Sequence, residues 1–275
     1  MNIKNGFYLK IAGFVLQIVF VKGAEFNYKH VAEIKKYILS FFGPFVLQKK
    51  TKKVDYSIKF ISQENSEEGI EEKQSIVIKN NRYIKLFSEN KKRKEVTSSY
   101  SLAFTNLGLI IKFIFVKLLK KNHSFYIHTS AALLNKKTAL LFLGKSGAGK
   151  STILKLFKKD LTPICDDMGF IKKEKNAYYL YETPYQEKNQ YPKDNGRFNI
   201  GLIFIIKKSH YFKIEKVPNA NLPQIIKTMM DQTVINKNKR DIFNFIVKHR
   251  RDFYYLYFSN KDENLVKKLL AFNFN

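Results

Sequence analysis

A chain of 275 residues, 45% of them hydrophobic, can form one large domain or two modest ones and has enough apolar side chains for a real core, which excludes a wholly disordered protein. Its single cysteine, Cys165, excludes an internal disulfide, none of its five histidines stands at zinc-ligand spacing from it, and a reducing, cytoplasmic address is the default. The formal charge of +27 would attract nucleic acid or anionic lipid, but the excess is spread along the chain with abundant Asn, Ile, Phe and Tyr, so compositional bias is preferred to a nucleic-acid partner.

Residues 11–21 form an apolar stretch preceded by Lys4 and Lys10. Gln17 interrupts it and no small-x-small cleavage site follows, so a buried strand, bent within residues 7–20, is expected rather than a signal peptide. A helix follows from about His30 to Phe42, ended by Gly43-Pro44, and then a strand whose Val54, Tyr56, Ile58 and Phe60 share one face. Residues 63–73 read as an exposed acidic loop, residues 75–87 as a hairpin turning at Asn80-Asn81, and Lys91-Lys92-Arg93-Lys94 as a solvated loop. Residues 101–121 read as a long helix. Its apolar stretch nearly has spanning length, but Asn106, Lys112 and Lys117 would each cost a few kcal/mol in hydrocarbon, so no transmembrane span is expected. The resulting division is a small α+β domain over residues 1–95 and a second domain over 96–275, entered through a bridging helix at 96–122.

In the second domain a strand over 125–134, a turn at Asn135-Lys136-Lys137 and a strand over 138–143 lead into a glycine-rich loop and a helix over 151–159. Further strands are expected at 201–206, 211–215 and 254–258, and helices near 222–232, 242–248 and 263–271.

The loop is Gly144-Lys145-Ser146-Gly147-Ala148-Gly149-Lys150-Ser151, the eight-residue phosphate-loop pattern, standing after an apolar strand and before a helix as its mechanism requires. Its glycines let backbone N–H groups converge on phosphates, the helix N-terminus adds its positive end, Lys150 reaches the β- and γ-phosphates, and Ser151 offers a hydroxyl to Mg²⁺. Thr152 supports the α-phosphate. A second carboxylate for the metal is expected from Asp166-Asp167, close behind the loop's helix, with one aspartate holding Mg²⁺ and the other taking a proton from an attacking hydroxyl. If the strands flanking the 135–137 turn pair, His128 is carried to the end of the sheet from which the loop departs.

His128, the Gly-x-Ser-Gly-x-Gly-Lys-Ser loop and an Asp-Asp pair so soon afterwards resemble the catalytic domain of HPr kinase/phosphorylase and its relatives, akin to ATP-dependent phosphoenolpyruvate carboxykinase. The resemblance covers residues 123–183 well and the rest of the chain loosely. It implies a mixed-sheet phosphate-loop domain binding ATP and Mg²⁺, with Ser151 and Asp167 at metal-linked positions, Asp166 as the proton-transferring carboxylate, His128 contributing to the site, and homo-oligomeric assembly. Two departures stand out. Thr152 replaces the acidic residue that the family carries after its Lys-Ser, and Asn195-Gly196-Arg197-Phe198-Asn199 is only an echo of the segment tied to dephosphorylation, so neither phosphorylase activity nor HPr as substrate is implied. Glu182-Thr183-Pro184-Tyr185 falls where such relatives have a substrate-side loop. An ABC ATPase lacks support without a Leu-Ser-Gly-Gly-Gln-like signature, and a GTPase without Asn-Lys-x-Asp. The expectation is an ATP-Mg²⁺ kinase acting on a hydroxyl of a protein serine or small molecule, with a nucleotide-holding regulatory module, or a nucleic-acid-stimulated ATPase, as alternatives.

Overall fold

The computed structural model describes residues 6–21, 28–49, 51–61, 75–79, 82–99, 103–157, 160–166, 168–184, 195–232, 239–259 and 264–272. The chain divides into two units, Met1–Leu118 and Leu119–Asn275.

The first unit contains β1 (Gly6–Ile11), β2 (Phe14–Phe20), α1 (Tyr28–Phe42), β3 (Val46–Leu47), β4 (Tyr56–Ile61), β5 (Ser75–Lys79), β6 (Arg82–Asn90) and β7 (Glu95–Ser99), and most of α2 (Ala103–Lys121). The strands form one mixed sheet in the order β3-β1-β2-β4-β7-β6-β5. The single bent strand expected over 7–20 is instead two antiparallel strands, because Ala12 and Gly13 both take positive φ (50° and 77°) and close a two-residue hairpin between Ile11 and Phe14. Tyr56, Ile58 and Phe60 are buried on one face of β4, as their alternation requires. The β5–β6 hairpin is present, with its Asn80-Asn81 turn outside the described residues, as is the acidic loop at 63–73. Residues 91–94 form an exposed turn between β6 and β7.

Helix α2 buries Ile110, Ile111, Ile114 and Phe115, with Phe115 edge-on to Phe14 at 6.0 Å and Phe113 against Phe87 at 4.9 Å. The division therefore falls after Leu118, later than the boundary near residue 95 that composition suggests. Lys117, a residue that would be costly in hydrocarbon, is the counterion of the buried Glu89 carboxylate, which also accepts the Tyr56 hydroxyl. Burial, and then Glu89 itself, pushes the Tyr56 hydroxyl well above its ordinary pKa, so it stays a donor. No described helix is long and apolar enough to cross a membrane.

The second unit runs β8 (Phe125–His128), β9 (Ser130–Asn135), β10 (Thr138–Leu143), α3 (Lys150–Phe157), β11 (Thr162–Cys165), β12 (Met168–Glu174), β13 (Ala177–Tyr181), β14 (Arg197–Lys208), β15 (Lys213–Lys216), α4 (Leu222–Gln232), α5 (Lys239–Lys248), β16 (Phe253–Phe258) and α6 (Leu265–Leu270). Its mixed sheet has the order β11-β9-β10-β14-β13-β12-β8, and β16 pairs with both β14 and β15. Alternate residues of β10 supply two cores: Ala139, Leu141 and Leu143 face the side of α4 and α5, while Leu140 and Phe142 face the side of α3 and α6.

Two features depart from expectation. The strand over 125–134 is interrupted at Thr129, giving β8 and β9. The β12–β13 hairpin, turning at Lys175-Asn176 with Lys175 at φ 52°, was not read from the sequence because Lys172, Lys173 and Glu174 mask its apolar alternation. Since β8 and β9 are joined by one residue yet stand at or next to opposite ends of the strand path, the sheet curls until its two flanks meet.

Replacing Lys117 by Met leaves Glu89 buried without its cation, so we expect a loss of about 3 kcal/mol in urea-unfolding stability. The Glu89→Gln/Lys117→Met pair should restore a large part of it.

Candidate functional site

Strand β10 ends at Leu143 beside Ile205 of β14, and the chain then turns through Gly144 to Gly149 into α3. The turn closes through Ala148 N–H donating to the Lys145 carbonyl at 3.1 Å, and the helix opens with Ile153 N–H donating to the Gly149 carbonyl at 2.9 Å. Gly147 and Gly149 lie at φ 76° and 106°, where a side chain is strained. A Cβ on Gly149 would also stand 3.0 Å from Cζ of the buried Phe258, and one on Gly144 would meet the Ala148 methyl at 2.8 Å. Lys150 Nζ donates back across the loop to the carbonyls of Gly144 (2.8 Å) and Lys145 (3.2 Å). Ser146 is exposed, and Ser151 and Thr152 are half-buried. The helix is anchored by Ile153, Leu154 and Phe157, the last 5.4 Å from the Phe142 ring.

Beside this loop two long strands bend together. Antiparallel pairing runs from Phe125↔Ile171 to His128↔Met168, and resumes in the same register at Ala131↔Cys165. Thr129 and Ser130 on one side and Asp166 on the other occupy the interval, and Asp167 lies outside the described residues. Side chains serve the backbone here. The Thr129 hydroxyl is shared between the carbonyls of Ser130 (3.0 Å) and Phe142 (3.1 Å), the Cys165 thiol donates to the Thr129 carbonyl at 3.5 Å, and the Thr183 hydroxyl donates to the Met168 carbonyl at 2.7 Å. Ser130 Oγ donates to Asp166 Oδ1 at 3.2 Å, and Asp166 is only 2% exposed. Since Phe142 pairs with Ser130, the acidic bend and the glycine loop lie at one end of the sheet. His128 ends β8 two residues before Ser130, half-buried at that same bend.

Glu182 is, with Asp166, one of two buried carboxylates among the described residues of this unit, and it accepts the Gly196 amide at 2.7 Å. Glu182 and Thr183 therefore close the end of β13 beside Met168, which gives the Glu-Thr pair singled out in the sequence a backbone-satisfying role. Pro184 follows them, while Tyr185 lies outside the described residues.

No protein-family model matches the chain, and no curated protein matches it. Among solved structures, the Hpr(Ser) kinase/phosphatase from Coxiella burnetii is similar over 46% of this chain and 96% of that chain, at 15% identity and a TM-score of 0.25. A likeness of that size carries no argument for function.

On the other flank of the loop lies a cavity of about 440 Å³, lined by Gly147, Gly149, Thr152, Lys208, Ser209, His210, Phe258 and Ser259. The last five were not anticipated from the sequence. They stand at and just beyond the carboxyl ends of β14 and β16, and only the parallel pairing of β10, β14 and β16 brings those ends to the glycine loop. A polar Lys-Ser-His triplet after an apolar strand is the one sequence signal that could have marked them.

Because Gly149 has both a left-handed φ and Phe258 beneath it, Gly149→Ala should lower the melting temperature by several degrees, about 1–3 kcal/mol, in a calorimetric scan. Ser146→Ala, at an exposed position, should leave it unchanged.

Proposed function

We propose that this chain binds ATP with Mg²⁺ through the glycine loop and transfers the γ-phosphoryl group to a hydroxyl acceptor, a protein serine or a small molecule, in a phosphate-loop domain of the HPr-kinase-like type. The observation carrying the reading is the strand-loop-helix unit at 138–157, with Gly147 and Gly149 in left-handed conformations and Lys150 drawn across the loop, set beside a buried aspartate at the same sheet end. Such a loop presents amides and a helix N-terminus to phosphate oxygens.

In this reading Lys150 shifts from the loop carbonyls to the β- and γ-phosphate oxygens, and Thr152 supports the α-phosphate. Ser151 and Asp167 would hold Mg²⁺, whose chemistry is to neutralise charge across the phosphates. Asp166, oriented by Ser130, accepts the proton of the acceptor hydroxyl as that oxygen attacks the γ-phosphorus; the bond to ADP breaks, and ADP departs with the electron pair. His128 contributes polarity at the bend.

One observation favours a second reading. Asp166 is almost wholly buried and held by Ser130, an arrangement that also suits a module holding ATP without rapid chemistry.

The test is ³²P transfer from ATP-Mg²⁺ to a panel of small hydroxyl compounds and proteins, alongside calorimetric ATP binding. Lys150→Ala should weaken ATP binding and turnover by about two orders of magnitude, and unchanged binding and turnover would sink the reading. Asp166→Asn should cut transfer by at least about a hundredfold while ATP affinity stays within a factor of about two. Tight ATP binding by the wild type with neither transfer nor hydrolysis would move the assignment to the holding module.

A further inference from the structure

The phosphate-loop reading leaves the nucleoside half of the triphosphate without a place, and the sheet supplies one. The order β11-β9-β10-β14, with β16 beyond β14, puts different chemistry on the two flanks of β10. Ser130 and Asp166 lie on the β9 and β11 side, and the 440 Å³ cavity lies on the β14 and β16 side. In a phosphate loop the lysine serves the β- and γ-phosphates, so with the γ-phosphate beside Asp166 the α-phosphate end of the triphosphate falls on the opposite flank of the loop, the flank of Thr152. Thr152 lines the cavity.

We propose that the cavity receives the base and ribose of the nucleotide, so that the triphosphate lies across β10 with its nucleoside toward β14 and β16 and its γ-phosphate toward Asp166. This rests on the phosphate-loop reading and deepens it. The cavity volume falls within the ordinary range of small-molecule sites. Its lining suits a nucleoside. The His210 imidazole offers a flat ring and a hydrogen-bonding edge, Ser259 offers a hydroxyl, and Lys208 adds a cation to the same lining. The wall is fixed rather than loose, because Ser209 N–H donates to the Phe258 carbonyl at 2.9 Å and Ser209 Oγ accepts Tyr211 N–H at 3.3 Å. Next to His210, Tyr211 is 59% exposed and stacked on Tyr257 at 5.9 Å with 22° between planes, which extends an aromatic surface from the rim.

The experiment compares ATP with inorganic tripolyphosphate, each with Mg²⁺, by titration calorimetry on the full chain. The wild type should bind ATP at least about tenfold more tightly than tripolyphosphate. His210→Ala, and Ser259→Trp placed to fill the cavity, should bring ATP down toward the tripolyphosphate value while leaving tripolyphosphate unchanged, which also serves as the control for folding. Lys150→Ala should weaken both ligands. Equal affinity of the wild type for the two ligands, or variants that weaken both alike, would overturn the nucleoside site and leave the loop reading standing. Failure of both ligands to bind the wild type would overturn the loop reading and this proposal with it.

Discussion

Every buried backbone carbonyl and amide needs a partner, and the second unit meets that demand at its hardest point, where two long strands turn from one flank of a curled sheet to the other. The ladder gives way between His128↔Met168 and Ala131↔Cys165, and the hydroxyls of Thr129 and Thr183 and the thiol of Cys165 take over its carbonyls. Small groups are required for the flanks to approach so closely. A Cβ on Gly169 would stand 2.9 Å from Leu180 Cδ1 and 3.0 Å from Thr129 Cγ2, so glycine is what lets β12 cross here. The bend is thus a packing solution first, and its consequence is chemical: an aspartate and the serine that donates to it are delivered next to the strand that feeds the glycine loop.

The same topology explains why the two flanks of β10 differ. β9 is antiparallel to both β10 and β11, so the carboxyl ends of β10 and β11 share one edge of the sheet, and the parallel strands β14 and β16 bring their carboxyl ends there as well. Crevices outside the carboxyl ends of parallel strands are the usual ligand sites of α/β sheets, because loops diverge there and helix N-termini point in. β14 runs past the level at which β10 turns away, reaching Lys208, and this overhang with Phe258 forms the cavity wall.

What could be read in the sequence follows from the range of the interactions involved. The unit β10, loop and α3 was legible because each step is local: an apolar strand, glycines where the chain must take positive φ, and a helix whose Ile153, Leu154 and Phe157 share a face. Helices α1 and α4 were legible for the same reason. The hairpin at Ala12-Gly13 was hidden inside one apolar run, since Ile11, Ala12, Phe14, Val15 and Leu16 are all buried around it and no polar residue marks the turn. The break at Thr129 and the cavity residues at 208–210 and 258–259 arise from pairings between strands far apart in the chain, which no window of sequence contains. The Asp-Asp pair was legible as chemistry, but the burial of Asp166 against Ser130 was not, because it depends on the curl.

The charge of the chain, with 50 Lys and Arg against 23 Asp and Glu, raises the question of what accommodates cations that outnumber carboxylates. Some meet acids, as Lys59 meets Glu95 and Lys117 meets Glu89. Others lie over aromatic faces: Lys207 over Tyr255 at 5.3 Å, Lys216 over Tyr254 at 5.8 Å and Lys268 over Phe212 at 5.6 Å, while Arg197 does both, meeting Glu174 at 2.8 Å and lying over Tyr179 at 4.5 Å. An aromatic face attracts a cation without cancelling its charge. A chain rich in both Lys and Phe or Tyr can therefore hold its lysines in place and still present a positive potential, and several of these pairs lie on β14, β15 and β16, the strands that lead to the cavity. An anionic ligand at the glycine loop, as proposed, would be attracted at a distance by that potential, and selection among anions would fall to the close geometry of the loop and of the cavity beside it.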